Sequence, residues 1–249
     1  MVQAPQRTAV SGPTLVRLLA RLTAADVPAA SQSLSDQLSQ WLGWTDAIAL
    51  STALSGTPPA VAGGARGARG AGALEQECAG LRAALADAIA GDSVLSTRRR
   101  RGAAHAQTAP AQAEASYADF RQSYLALQQS METRIGALRG RLRSLLAAKT
   151  PEMTRLAVVD AIMERSLGAR ERSLFGSVPG LLGGHFERLR KASQAADAPA
   201  NGAAPADSAA ASPGVWLDAF RKDMQSVLLA ELDIRFQPVE GLLAALRIS

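Results

Sequence analysis

Large apolar residues recur three or four positions apart in four stretches of the chain, the spacing that lines one face of an α-helix. In residues 13–55 the first run is Leu15, Leu18, Leu19 and Leu22. Asp26, Val27 and Pro28 mark its end, and Ser31 or Ser33 stands where an N-cap would open a second helix through Leu34, Leu38, Trp41 and Leu42. Gly43 suits a stop, and Thr45 is placed to cap a third helix with Asp46 in its first turn and Ile48, Leu50 and Leu54 along it. Residues 73–97 carry Leu74, Cys78, Leu81, Leu85 and Ile89 as a single stripe.

Residues 114–194 hold the longest pattern. Tyr117, Phe120, Tyr124, Leu127, Met131, Ile135, Leu138, Leu142 and Leu145 form a heptad-like seam with one extra step of four, a stutter. Such a seam needs a facing helix, from this chain or from another. Thr150 and Pro151 read as N-cap and first position of the returning helix, whose apolar face is Met153, Leu156, Val159, Met163 and Leu167. The pair predicts a long helical hairpin over about 114–172, continued after Gly176 by a shorter helix with Phe175, Val178, Leu181, Leu182, Phe186 and Leu189. Residues 214–248 give Trp216, Leu217, Phe220, Met224, Val227, Leu228 and Leu232. Pro238 is expected to interrupt that helix before a last amphipathic piece. Alternation of the strand type is rare, so the fold class is all-α, a helical bundle.

Three stretches break the pattern and are expected to be flexible linkers. Residues 56–72 are rich in Gly and Pro, 98–113 are basic and then Ala-rich, and 195–213 are a low-complexity Ala/Pro tract. They divide the chain into helical blocks 13–55, 73–97, 114–194 and 214–248. Composition agrees: of the 249 residues 47% are hydrophobic, but alanine and leucine dominate and only 4% are aromatic. Against that scarcity, Trp41 and Trp44 flank Gly43, which points to two rings filling the wedge between non-parallel helices; the alternative is an exposed aromatic anchor for a partner.

The net charge is +5, concentrated in 114–195, where 13 basic side chains face 8 acidic ones. The candidate nucleic-acid contacts are the run Arg98, Arg99, Arg100 and Arg101 together with Arg139 and Arg143; a solvated arginine-rich helix surface explains them as well. The C-terminal helix is amphipathic but not basic, which argues against attachment to anionic lipid. No run of about 18 uncharged apolar residues exists to span a membrane. Cys78 is the single cysteine, so no internal disulfide and no cysteine-rich zinc site can form, in keeping with a cytoplasmic location. His105 and His185 stand alone, and no HExxH, CxxC or GxSxG pattern is present. Neither a catalytic set, a cofactor, a metal nor a small-molecule substrate is indicated, and an enzyme is not expected.

The stretches SLSDQLSQWLGWTDAIALSTAL, YADFRQSYLALQQSMETRIGALRGRLR and LDIRFQPVEGLLAALR resemble the proteobacterial domain-of-unknown-function family numbered 3348. The resemblance supplies no activity and implies a cytoplasmic helical protein, a soluble partner of a bacterial envelope complex. Residues and resemblance together point to a protein–protein interaction or scaffold protein that binds a protein partner or itself. Its candidate interface residues are Trp41, Trp44, Trp216, Phe220, Tyr117, Phe120 and Tyr124, with nucleic-acid binding as the alternative.

Overall fold

A computed structural model describes residues 12–24, 32–56, 71–96, 116–197 and 214–248. Among them lie seven helices: α1 (Thr14–Thr23), α2 (Leu34–Trp41), α3 (Trp44–Ser55), α4 (Ala71–Gly91), α5 (Tyr117–Ala147), α6 (Pro151–Asp197) and α7 (Val215–Ile248). α5 and α6 form the long hairpin. α7 lies along both and also receives α1 and α4, whereas α3 packs on α6. The all-α bundle read from the sequence is the fold.

Local chemistry explains several boundaries. The Ser33 hydroxyl accepts from the Asp36 amide at 3.1 Å, a side-chain cap for α2. Thr150 Oγ1 accepts from the Met153 amide at 3.3 Å, and Pro151 occupies the first turn of α6, where a missing N–H costs nothing. α1 ends at Thr23, earlier than Asp26, with Ala24 in the left-handed conformation at φ 52°. Its last carbonyls are taken by a distant side chain: Arg188 of α6 donates to Leu22 O and, at 2.9 Å, to Thr23 O. α3 begins at Trp44 with Gly43 as its cap, so Thr45 lies inside the helix and does not cap it.

Two expected breaks do not occur. α6 is one helix of 47 residues through Gly176 and Pro179, and α7 is one helix of 34 residues through Pro238. Within 176–184 stand Gly176, Pro179, Gly180, Gly183 and Gly184. A helix-interior proline costs about 3 kcal/mol and each glycine up to about 1 kcal/mol relative to alanine. Burial outweighs this: Phe175, Val178, Leu182 and Phe186 keep one continuous face in the core. In α7 the buried line from Leu232 to Leu246 likewise runs past the proline.

α6 also receives help from α5. Proline at 179 removes the N–H that would reach the carbonyl four residues back, on Phe175. The Gln128 side chain donates Nε2–H to that carbonyl at 3.1 Å. The Tyr117 hydroxyl donates to Pro179 O, and the Tyr117 ring lies over Gly183, where an added Cβ would stand 2.9 Å from Cε1.

The core runs the length of the three long helices. Phe120, Met131, Leu142, Phe220, Met224, Val227 and Val239 are among its fully enclosed side chains. α4 contributes Leu74, Cys78, Leu85 and Ile89, and the following turn adds Leu95. Burial, then the neighbouring Glu77, pushes the Cys78 thiol above its ordinary range. At the edge of α4, Arg82 pairs with Asp233 at 2.6 Å and Glu240 at 2.7 Å on α7.

Glycines 180 and 183 should respond oppositely to a methyl group. No atom lies within 4 Å of a Cβ built at Gly180, so Gly180→Ala removes only a backbone-entropy penalty. It is expected to raise unfolding stability by about 0.5–1 kcal/mol in urea titration. Gly183→Ala must displace the Tyr117 ring and is expected to lower it by about 1–3 kcal/mol.

Candidate functional site

The middle of the bundle holds a charged group that the sequence reading did not select. Glu231 of α7 is fully buried, and its carboxylate accepts from three side chains. Tyr124 Oη donates at 2.8 Å, Gln128 Nε2 at 2.9 and 3.0 Å, and Arg235 Nε at 2.9 Å with Nη2 at 2.8 Å. Arg235 also reaches Glu171 at 3.4 Å and stacks over the Phe175 ring at 4.1 Å. The Gln128 amide therefore bridges the Phe175 carbonyl of α6 and the Glu231 carboxylate of α7. Burial, then the charge on Glu231, holds the Tyr124 hydroxyl protonated well above the usual tyrosine range. Every member of this group is engaged within the chain, and its role is to hold three helices in register.

The same packing decides the fate of most candidate interface residues. Phe120, Tyr124 and Phe220 are core side chains, and Tyr117 and Trp216 are half-buried against that core. Phe186 touches the rings of Tyr117, Phe120, Trp216 and Phe220 at 5.0–5.9 Å between centroids. The partner facing the α5 seam is thus this chain's own α6 and α7. The buried line on α5 also passes through Gln128 and Leu146 rather than Leu127 and Leu145, which sit at its flank. α7 is docked along its length and does not swing free.

Three of the five arginines of α5 are likewise engaged. Arg139 and Arg143 are not spread on an open surface: their side chains are 12% and 20% exposed, and both pair with Asp160 and Glu164 of α6. The closest separations include 2.7 Å from Arg139 to Asp160 and 3.1 Å from Arg143 to Asp160. Arg141 pairs with Glu77 of α4. Guanidinium groups held by carboxylates are not available to phosphates, so the nucleic-acid reading loses Arg139 and Arg143. Arg98, Arg99, Arg100, Arg101 and His105 lie outside the described residues. His185 meets Asp223 at 2.9 Å and packs beside the Phe220 ring, an α6–α7 contact.

One surface remains unaccounted for. α2 and α3 contain no buried residue. Trp44, expected in a wedge between helices, is 81% exposed; Ile48 is 50% and Leu54 61% exposed, and Leu34 on α2 also stands in solvent. The wedge reading fails for Trp44 because it begins α3 on the side turned away from α6. The side of α3 facing the bundle carries Asp46, Ala49, Leu50 and Ala53, each half-covered. Trp41 lies under the Arg170 guanidinium at 4.3 Å, Arg165 stands 3.9 Å from Asp46, and Arg155 donates to Gly56 O at 3.3 Å. The corner is thus fastened to α6 mainly by arginines and leaves an apolar face outward.

Residues 1–248 match the family described as "Protein of unknown function (DUF3348)", and the chain belongs to that family. No curated protein and no solved structure matches the chain. Among the described residues there is no cluster of three or more potential metal ligands, and no helix is long and apolar enough to cross a membrane.

The buried pair sets up a thermodynamic cycle. Glu231→Leu strands Arg235, and Arg235→Met strands Glu231; each single change is expected to cost about 3–5 kcal/mol. The double variant is expected to be less destabilised than the sum of the two, by more than about 1 kcal/mol in denaturant titration. Tyr124 adds a pH dependence. Its folded-state pKa is raised, so its stabilising effect is complete below the unfolded value near 10 and declines as pH rises beyond that. Thermal melts between about pH 9.5 and 11.5 are expected to fall more steeply for the wild type than for Tyr124→Phe.

Proposed function

We propose that this member of the DUF3348 family is a non-enzymatic protein–protein interaction module. Its helical bundle serves as a rigid support, and the corner of α2 and α3 is the docking face. The observation carrying this reading is the exposure of Trp44, Ile48 and Leu54 on a helix that buries none of its own residues. Clustered exposed apolar side chains led by tryptophan are typical of anchor positions in protein interfaces. Internal engagement of Arg139 and Arg143 favours this over nucleic-acid binding. We further propose that the protein works in the cytoplasm as a partner of a bacterial envelope complex, on the strength of the family resemblance.

Site-specific photo-crosslinking in the native cells tests the docking face. A photoreactive residue at position 44 or 48 is expected to give discrete crosslinked species. The same residue at exposed Arg134 on α5 is expected to give none. Equal crosslinking from position 134, or none from 44 and 48, overturns the assignment.

A further inference from the structure

We propose that the α3 face is occupied by a second copy of this chain, docked antiparallel about a twofold axis that passes between positions 49 and 50. This rests on the docking-face reading above and names the partner. The exposed positions of α3 are 44, 45, 47, 48, 51, 52, 54 and 55. Reversal about 49/50 maps that set onto itself, and maps the half-covered set 46, 49, 50 and 53 onto itself too. The outward surface therefore presents the same outline to a reversed copy, as a two-fold, isologous interface requires.

The residue types complement one another under the same reversal. Trp44 falls opposite Ser55, Ile48 opposite Ser51, and Leu54 opposite Thr45. Every large apolar side chain thus meets a small hydroxyl residue, while Ala47 meets Thr52. Large-on-small pairing lets two helix surfaces interdigitate at normal packing distance.

Two of the four hydroxyls on the face are already satisfied within the helix. Thr52 Oγ1 donates to Ile48 O at 2.9 Å, and Ser55 Oγ donates to Ser51 O at 2.7 Å. Covering these hydroxyls strands neither donor. No outward position of α3 is charged, although 20% of the chain is, and Asp46 is turned toward Arg165. The sequence outside the described residues is poor in large apolar side chains. Residues 1–11, 25–31, 57–70, 97–115, 198–213 and 249 contain no Leu, Ile, Phe, Tyr or Trp.

Two such faces bury on the order of 1,000 Å² in total, at the low end for specific association. A dimer with Kd of roughly 1–100 μM is expected. Sedimentation velocity of the full chain from about 1 to 200 μM reads this directly. The wild type is expected to pass from monomer to dimer. Ser51→Lys, which sets a charge opposite Ile48 of the other copy, is expected to stay monomeric with unchanged helical circular dichroism and melting temperature. An equimolar mixture of Ile48→Cys and Ser51→Cys chains treated with diamide is expected to give a covalent heterodimer of the two variants, while buried Cys78 leaves the wild type uncrosslinked. A wild type that stays monomeric throughout, or a Ser51→Lys variant that dimerises equally well, overturns the proposal. If the wild type is monomeric yet position 44 still crosslinks in cells, only the choice of partner falls. If both signals are absent, the docking face falls with it.

Discussion

A single carbonyl oxygen constrains much of this structure. Pro179 leaves Phe175 O without its helical donor in the middle of the longest helix. A buried carbonyl without a donor is costly, and water has no access to this one. The Gln128 amide meets the need, but its other N–H then requires a buried acceptor, supplied by Glu231. The Glu231 charge in turn needs Arg235 and Tyr124. α5, α6 and α7 are joined by this one sequence of obligations. Leucine packing alone tolerates sliding by a helical turn; a displaced Glu231 would be an unpaired charge in the core. The polar group fixes the register, and the apolar surface around it supplies the cohesion.

This also explains what was legible in the sequence. Leucine spacing placed the helices of the bundle, and Ser33, Thr150 and Pro151 marked helix starts, because these signals act within one turn of chain. The continuity of α6 and α7 was hidden because proline and glycine penalties are local, whereas the burial that overrides them comes from other helices. Glu231 and Arg235 do not enter a pattern that counts only large apolar side chains. The available signal was their position on the line Met224, Leu228, Glu231, Arg235, Val239 and Leu242, in which every other member is apolar. Gln128 was missed because the apolar count moved to its neighbour Leu127. For Arg139 and Arg143 the periodicity gave the shared face but not the two carboxylates across the hairpin.

The corner of α2 and α3 is held by different physics from the rest. The main bundle is cemented by fully enclosed side chains. The corner rests on half-covered residues of α3, a guanidinium over Trp41, and a loose ion pair at 3.9 Å. Exposed ion pairs contribute little and weaken with salt. Local opening therefore starts here, well below the free energy of global unfolding. A docking surface on such a support gains order when its partner binds, and part of the binding free energy is spent on that ordering.

The placement of α7 has a consequence for the protein as it is made. Phe220, Met224, Val227, Leu228 and Val239 complete the enclosure of faces presented by α1, α4, α5 and α6, all translated earlier. At about 5–20 residues per second, α4 waits on the order of ten seconds for the helix that covers it. During that interval the nascent chain displays Leu85, Ile89 and the α5 seam to its surroundings. The long helices can form locally as they emerge, but side-chain order must arrive late and nearly all at once. The helix made after α1, α4, α5 and α6 thus completes the enclosure of faces on all four.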